Sequence, residues 1–126
     1  MPLTVRGYEL DSYNHVNNAV YIQYLEQARW EFIRDAGIYE DLTASGLLLV
    51  ITETTIRYMR EARLFDQLEV HSSYEIKQPF VVFHQKIINV ETGLAVARAT
   101  LRSIFLDQER IPRDVPDFMF KNMEIR

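Results

Sequence analysis

The chain of 126 residues contains no cysteine at all. That excludes disulfides, thiolate nucleophiles and sulfur-ligated metals together, so any nucleophile must be oxygen or nitrogen. Glycine and proline are scarce, at four each, and no Gly/Ser linker, repeat or low-complexity tract divides the chain. No apolar run approaches the ~20 residues of a membrane span. The start, Met-Pro-Leu-Thr-Val, has neither a basic segment followed by an apolar one nor an Arg/Ser-rich amphipathic stretch, so the cytoplasm is the expected compartment. Charge of one sign is also lacking. Fourteen Lys and Arg face eighteen Asp and Glu, a net charge of −4, which argues against a nucleic-acid partner. Histidine is limited to positions 15, 71 and 84, too scattered for a metal site, and none is expected.

What is present is a globular mixture, 48% hydrophobic and 25% charged, of a length that suits one domain over 1–126. Residues 3–10 read as a first strand, closed by the turn-forming Asp11, Ser12, Tyr13 and Asn14. Over 19–36, Tyr21, Tyr24, Leu25, Ala28, Phe32 and Ala36 recur at helical spacing, and Gly37 stands where a helix-terminating glycine belongs. Ile22, Trp30 and Ile33 fall on other faces of the same cylinder, which predicts an interior helix wrapped by its surroundings. Four strands follow, over 47–58, 68–77, 80–90 and 94–106. In 68–77 apolar and polar residues alternate, so one face is wet and His71 lies on it. Glu91-Thr92-Gly93 predicts a hairpin between the last two. Ala95, Ala97 and Ala99 would let a helix lie close to the sheet. Pro112 and Pro116 break the tail, and 117–123 suggests a short terminal helix. The order β-α-β-β-β-β is best buried by an α+β arrangement in which a curved antiparallel sheet wraps one long helix, the hot-dog fold. One helix cannot cover such a sheet and its edges are adhesive, so a homodimer or homotetramer joined edge to edge is expected.

The densest polar cluster precedes the helix. The first N–H groups of a helix lack internal partners and attract an oxygen that becomes negative during reaction. Asn17 and Asn18 stand there; either can cap the helix, and the N–H of Asn18 can also hold an oxyanion. Asp11 can attack a carbonyl carbon, can activate water, or can simply close an Asx turn. His15 can act as a base, orient Asp11 or water, or be satisfied by backbone. Glu26, with Arg29 at i+3, is either a surface ion pair or a partnered site carboxylate. Arg57, Arg60 and Arg63 form a compact basic cluster, either solvated or fit for a few phosphates.

These residues carry a resemblance. Val5-Arg6-Gly7-Tyr8, Leu10-Asp11, Tyr13, His15-Val16-Asn17-Asn18-Ala19, Tyr21, Leu25-Glu26 and Ala28-Arg29-Trp30 resemble the N-terminal signature of bacterial long-chain acyl-CoA thioesterases, in the 4-hydroxybenzoyl-CoA thioesterase group of hot-dog proteins. The core motif is also similar to plant acyl-carrier-protein thioesterases. The resemblance implies a hydrolase of lipid metabolism that cleaves an acyl-CoA, with Asp11 as catalytic carboxylate, Asn18 as oxyanion amide and His15 in the same site. It implies substrate contacts from Asn17, Tyr21, Tyr24 and Glu26, coenzyme A phosphates near Arg57 or Arg60, an acyl carrier protein as alternative partner, and no cofactor. Two departures stand out: Asn18 where benzoyl-type relatives carry an aromatic or histidine, and Glu61 where relatives often have proline. A hot-dog hydratase or dehydratase is the rival enzyme, disfavoured by the short Asp11-to-His15 interval; a non-catalytic acyl-binding subunit is the rival of another class.

Overall fold

A computed structural model describes residues 1–124. Strand β1 (Pro2–Thr4) leads through a 3-10 turn (Gly7–Glu9) to helix α1 (Asn18–Asp35) and a shorter helix α2 (Ile38–Ser45). Strands β2 (Leu48–Tyr58), β3 (Gln67–Lys77), β4 (Phe80–Asn89) and β5 (Ala95–Leu106) follow, then β6 (Pro112–Arg113) and helix α3 (Asp117–Glu124). One antiparallel sheet has the order β1-β3-β4-β5-β2, with β6 pairing the end of β5. This is the hot-dog arrangement read from the sequence. No described helix is long and apolar enough to cross a membrane.

The helix forms where its period demands. Tyr21, Tyr24, Leu25 and Ala28, spaced i, i+3, i+4 and i+7, are all buried, and they meet Val70, Tyr74, Phe83, Ile87 and Leu101 in one core cluster. Each large member contributes about 1.5–3 kcal/mol by leaving water. The helix lies on the sheet's inner face, its Leu25 O accepting from Gln85 Nε2 of the central strand β4 at 2.9 Å. Its outward side is left open: Ile22 is 43% and Trp30 49% exposed, while Ile33 of the same set is buried. Cover is looser toward β2. An apolar groove of about 390 Å³ opens there, between Trp30 and Ile33 of α1, Leu42 of α2 and Leu47, Leu49 and Ile51 of the β2 segment. Strand β2 is a free edge over eleven residues.

Three further differences from the sequence reading have local causes. The first strand stops at Thr4, because Arg6 reaches forward to Glu9, its guanidinium at 2.6 Å from Oε2, and folds the chain into a 3-10 turn. The connection after α1 is itself a helix: Gly37, at φ 77°, reverses the chain after α1 and starts α2 in the same step. Finally, Pro112 and Arg113 add a two-residue strand where only a break was expected. The β4–β5 hairpin turns on Gly93 at φ 72°, with its N–H donated to Asn89 O at 2.8 Å. Ala97 and Ala99 lie in the core cluster as their small size suggested, and α3 forms over the residues expected of it.

Candidate active site

The Asp11 segment is held against the start of α1 by backbone bonds. Asp11 N donates to His15 O at 2.8 Å, closing a tight turn in which Asn14 takes φ 65°. Val16 N donates to Ala62 O and Asn17 N to Glu9 O, both at 2.9 Å, so the turn is fastened to the β2–β3 connection and to the 3-10 turn at once. The Asp11 Oδ1 accepts from Tyr13 N at 2.9 Å and His15 N at 3.3 Å, an Asx turn. None of the described residues takes its second oxygen.

The two asparagines divide their work. Asn17 is the cap, its side chain accepting from Ala19 N at 2.9 Å. Asn18 is the first helical residue, and its N–H has no acceptor among the described residues, as a helix start dictates. Asp11, His15, Asn18 and Tyr21 line one cleft of about 210 Å³ with Tyr58, Met59, Arg60 and Glu61. Two residues that each hold an uncommitted group, a carboxylate oxygen in Asp11 and a helix-terminal amide in Asn18, thus line the same small space.

The remaining residues singled out from the sequence are placed as follows. The His15 ring does not meet Asp11; its Nε2 faces Glu61 Oε2 at 3.4 Å, and it stacks on Tyr13. Tyr21 closes the cleft floor, its hydroxyl accepting from Ala62 N at 3.1 Å while burial pushes its pKa up. Tyr24 does not reach the cleft. Its ring is buried and its hydroxyl donates to Glu9 Oε1 at 2.7 Å; burial first, and then that bond, drive its pKa far upward. Glu26 is exposed and lines the apolar groove beside Arg29, which donates to Gln85 Oε1 at 3.1 Å; burial pulls the guanidinium pKa down. Arg60 sits at the cleft, donating to Ala95 O at 2.6 Å. Arg57 points to the other side of the sheet, paired in register with Arg98.

Three site features escaped the sequence reading. Tyr58 donates its hydroxyl to Asn18 O at 3.1 Å and packs its ring 5.5 Å from Tyr21, fixing the helix start from the end of β2. Glu61, noted only as a departure from proline, supplies the carboxylate facing His15. Glu9 is a buried hub: it accepts from Arg6 N at 2.9 Å, from the Arg6 side chain and from Tyr24. Burial would raise its pKa, but the bonds from Arg6 and Tyr24 outweigh it and hold the carboxyl below its usual range. The Arg6/Glu9 spacing of three residues signals a turn of helix, a signal masked by reading 3–10 as extended.

Comparison with known proteins agrees with this architecture. The family model described as the thioesterase-like superfamily matches residues 5–123. Among curated relatives, the long-chain acyl-CoA thioesterase FadM of Escherichia coli (strain K12) is 34% identical over 106 residues, 83% of this chain and 80% of that one. The chloroplastic acyl-acyl carrier protein thioesterase ATL2 of Arabidopsis thaliana is 33% identical over 116 residues, 90% of this chain but only 62% of that one. Among solved structures, the probable thioesterase YbaW from Escherichia coli superimposes with a TM-score of 0.90 at 29% identity, covering 98% of this chain and 95% of that chain. With a family match running from the first turn to the last helix, and relatives that align along nearly the whole sheet, the chain belongs to the thioesterase-like superfamily.

Proposed function

We propose that the protein is a thioesterase that hydrolyses an acyl-CoA to the free acid and coenzyme A, the acyl group being a medium or long fatty chain. The observation that carries this reading is the pairing of two unspent groups on one cleft: the second carboxylate oxygen of Asp11 and the N–H of Asn18. In this reading the thioester carbonyl oxygen rests on the Asn18 amide, where the helix dipole and N–H favour the charge that develops on attack. Asp11 takes a proton from water as the water oxygen bonds to the carbonyl carbon. The tetrahedral oxyanion then collapses, the C–S bond breaks, and the departing thiolate takes the proton. Sulfur leaves readily, so little acid assistance is needed, and no cofactor enters. His15, braced by Glu61, holds the wall of the turn that carries Asp11.

The acyl chain would run from the cleft into the apolar groove between α1 and β2. From Asn18 to Trp30 the helix rises about 18 Å at 1.5 Å per residue, room for an extended chain of that class. The exposed Ile22 and Trp30 and the free β2 edge call for a second copy of the chain to close the groove. Arg60, which lines the cleft, would meet the phosphate end of coenzyme A. The similarity to a plant acyl-carrier-protein thioesterase favours a second reading, the same reaction on a carrier-bound acyl group. Free-thiol release from acyl-CoAs of graded length, and from matched acyl carrier proteins, tests both. Thiol from the coenzyme A series supports the first reading and thiol from the carrier series alone the second. Hydration without thiol would mark a lyase, and tight binding with no turnover an acyl-binding subunit; either result overturns the proposal.

A further inference from the structure

The face of the sheet turned away from α1 carries a row of cations that its own acids leave uncompensated. Direct partners in an antiparallel ladder point to the same side. The register sets His71 opposite Lys86, Lys86 opposite Arg98, and Arg98 opposite Arg57, across four adjacent strands. The next row along brings Ser73, His84 and Thr100 into line. The carboxylates of this face pair with the histidines of the two rows or with side chains beyond them, Glu69 with His71 at 2.6 Å, Glu75 with His84 at 3.0 Å and Lys77 at 3.4 Å, and Glu53 with Arg102 at 2.7 Å. Among the described residues, Lys86, Arg98 and Arg57 form no ion pair.

Like charges directly opposite on neighbouring strands destabilise a sheet, and this row runs against a net charge of −4 for the whole chain. The two rows border a concavity of about 430 Å³ lined by His71, Ser73, His84, Lys86, Arg98 and Thr100, none of which borders the Asp11 cleft. An ammonium, a guanidinium and two hydroxyls converge there as donors, the set that phosphate oxygens accept from most strongly. The space exceeds a single phosphate and suits a diphosphate or larger. A second copy stacked on this face through a two-fold axis would set the row against its own image, cation on cation, so a small anion is the better occupant.

The geometry points to a binding groove for a phosphate-bearing small molecule on the outer face of the sheet, apart from the Asp11 cleft. Its ligand is a free di- or polyphosphate, since Arg60 at the cleft would take the substrate's own phosphates. The inference needs no turnover, so it stands or falls separately from thioester hydrolysis. Calorimetric titration of the full chain with inorganic pyrophosphate is the test. Saturable binding near one per chain is expected, weakening as salt screens the row. In a Lys86→Met/Arg98→Met double variant Kd should rise by about tenfold or more, since each lost charge-assisted bond is of that order. Thermal unfolding of the variant should occur at or slightly above the wild-type midpoint, because both side chains lie on the wet face and their mutual repulsion is removed. Absence of binding in wild type, equal binding in the variant, or a changed oligomeric state of the variant would each overturn the assignment. In wild type, pyrophosphate that competes with acyl-CoA would also overturn it, by making the groove part of the substrate's own site. Pyrophosphate that binds without raising KM identifies a free ligand.

Discussion

Replacing Asp11 separates its turn-closing bonds from the chemical role proposed for it. Its Oδ1 accepts from Tyr13 N and His15 N and closes the turn, while its other oxygen has no partner among the described residues and the residue lines the cleft. Asp11→Asn keeps an acceptor oxygen where Oδ1 stands but removes the proton acceptor. The turn should hold, with an unfolding midpoint within about 2 °C of wild type, since a change confined to a partly exposed site costs within about 0.5 kcal/mol. Loss of a general base lowers turnover by about 10²–10⁴-fold, or roughly 3–5 kcal/mol of barrier. Asp11→Ala loses the same chemistry and also strands two N–H groups. Water reaches both, and the bond at 3.3 Å is the weaker, so the added cost is about 1 kcal/mol in total. For a domain of this size that lowers the midpoint by about 3–5 °C. Thiol release followed with a chromogenic thiol reagent, alongside thermal melts of the three proteins, reads both quantities. An Asn variant within tenfold of wild-type turnover would remove Asp11 from the chemistry. An Ala variant that melts with the Asn variant would remove the turn argument.

Two further outcomes follow from groups around the site. Glu9 has its folded pKa held below the ordinary value of 4.5, so it stabilises the protein fully above that pH and loses the contribution as pH falls toward the lower folded value. Melting midpoints of wild type should therefore fall more steeply below pH 4.5 than those of Glu9→Gln, which is weaker at neutral pH and flatter in acid; parallel curves would refute the Glu9 hub. Trp30→Asp places a charge on the exposed stripe beside the groove, and light scattering should show dimers of wild type giving way to monomers. A wild type that is already monomeric would refute the closing role proposed for a second copy.

Much of this protein is written in short-range pattern. The i, i+3, i+4, i+7 spacing of Tyr21, Tyr24, Leu25 and Ala28 determined α1 and its buried face, because helix geometry ties those positions to one side. Alternation along 68–77, and the glycine of the 91–93 turn, determined β3 and the β4–β5 hairpin for the equivalent reason in strands. Asn17 and Asn18 marked the helix start within one residue. Helix α2 was illegible because its start is a glycine at positive φ, with no capping side chain, and because only Ile38 in it is fully buried. The turn at Glu9 was illegible because the partner that makes a buried carboxylate tolerable, Tyr24, lies fifteen residues on. Asp11 shows the limit most clearly. Its residue type allowed a turn role and a chemical role, and the fold spends one oxygen on the turn and leaves the other for the role proposed here. Which residues share the cleft with it was decided by long-range bonds such as Val16 N to Ala62 O, which carry Tyr58, Arg60 and Glu61 to the helix start. Periodicity and capping act within a few residues and can be read from a line of sequence. A cleft is assembled from segments that meet only when the sheet closes, and no local preference encodes that meeting.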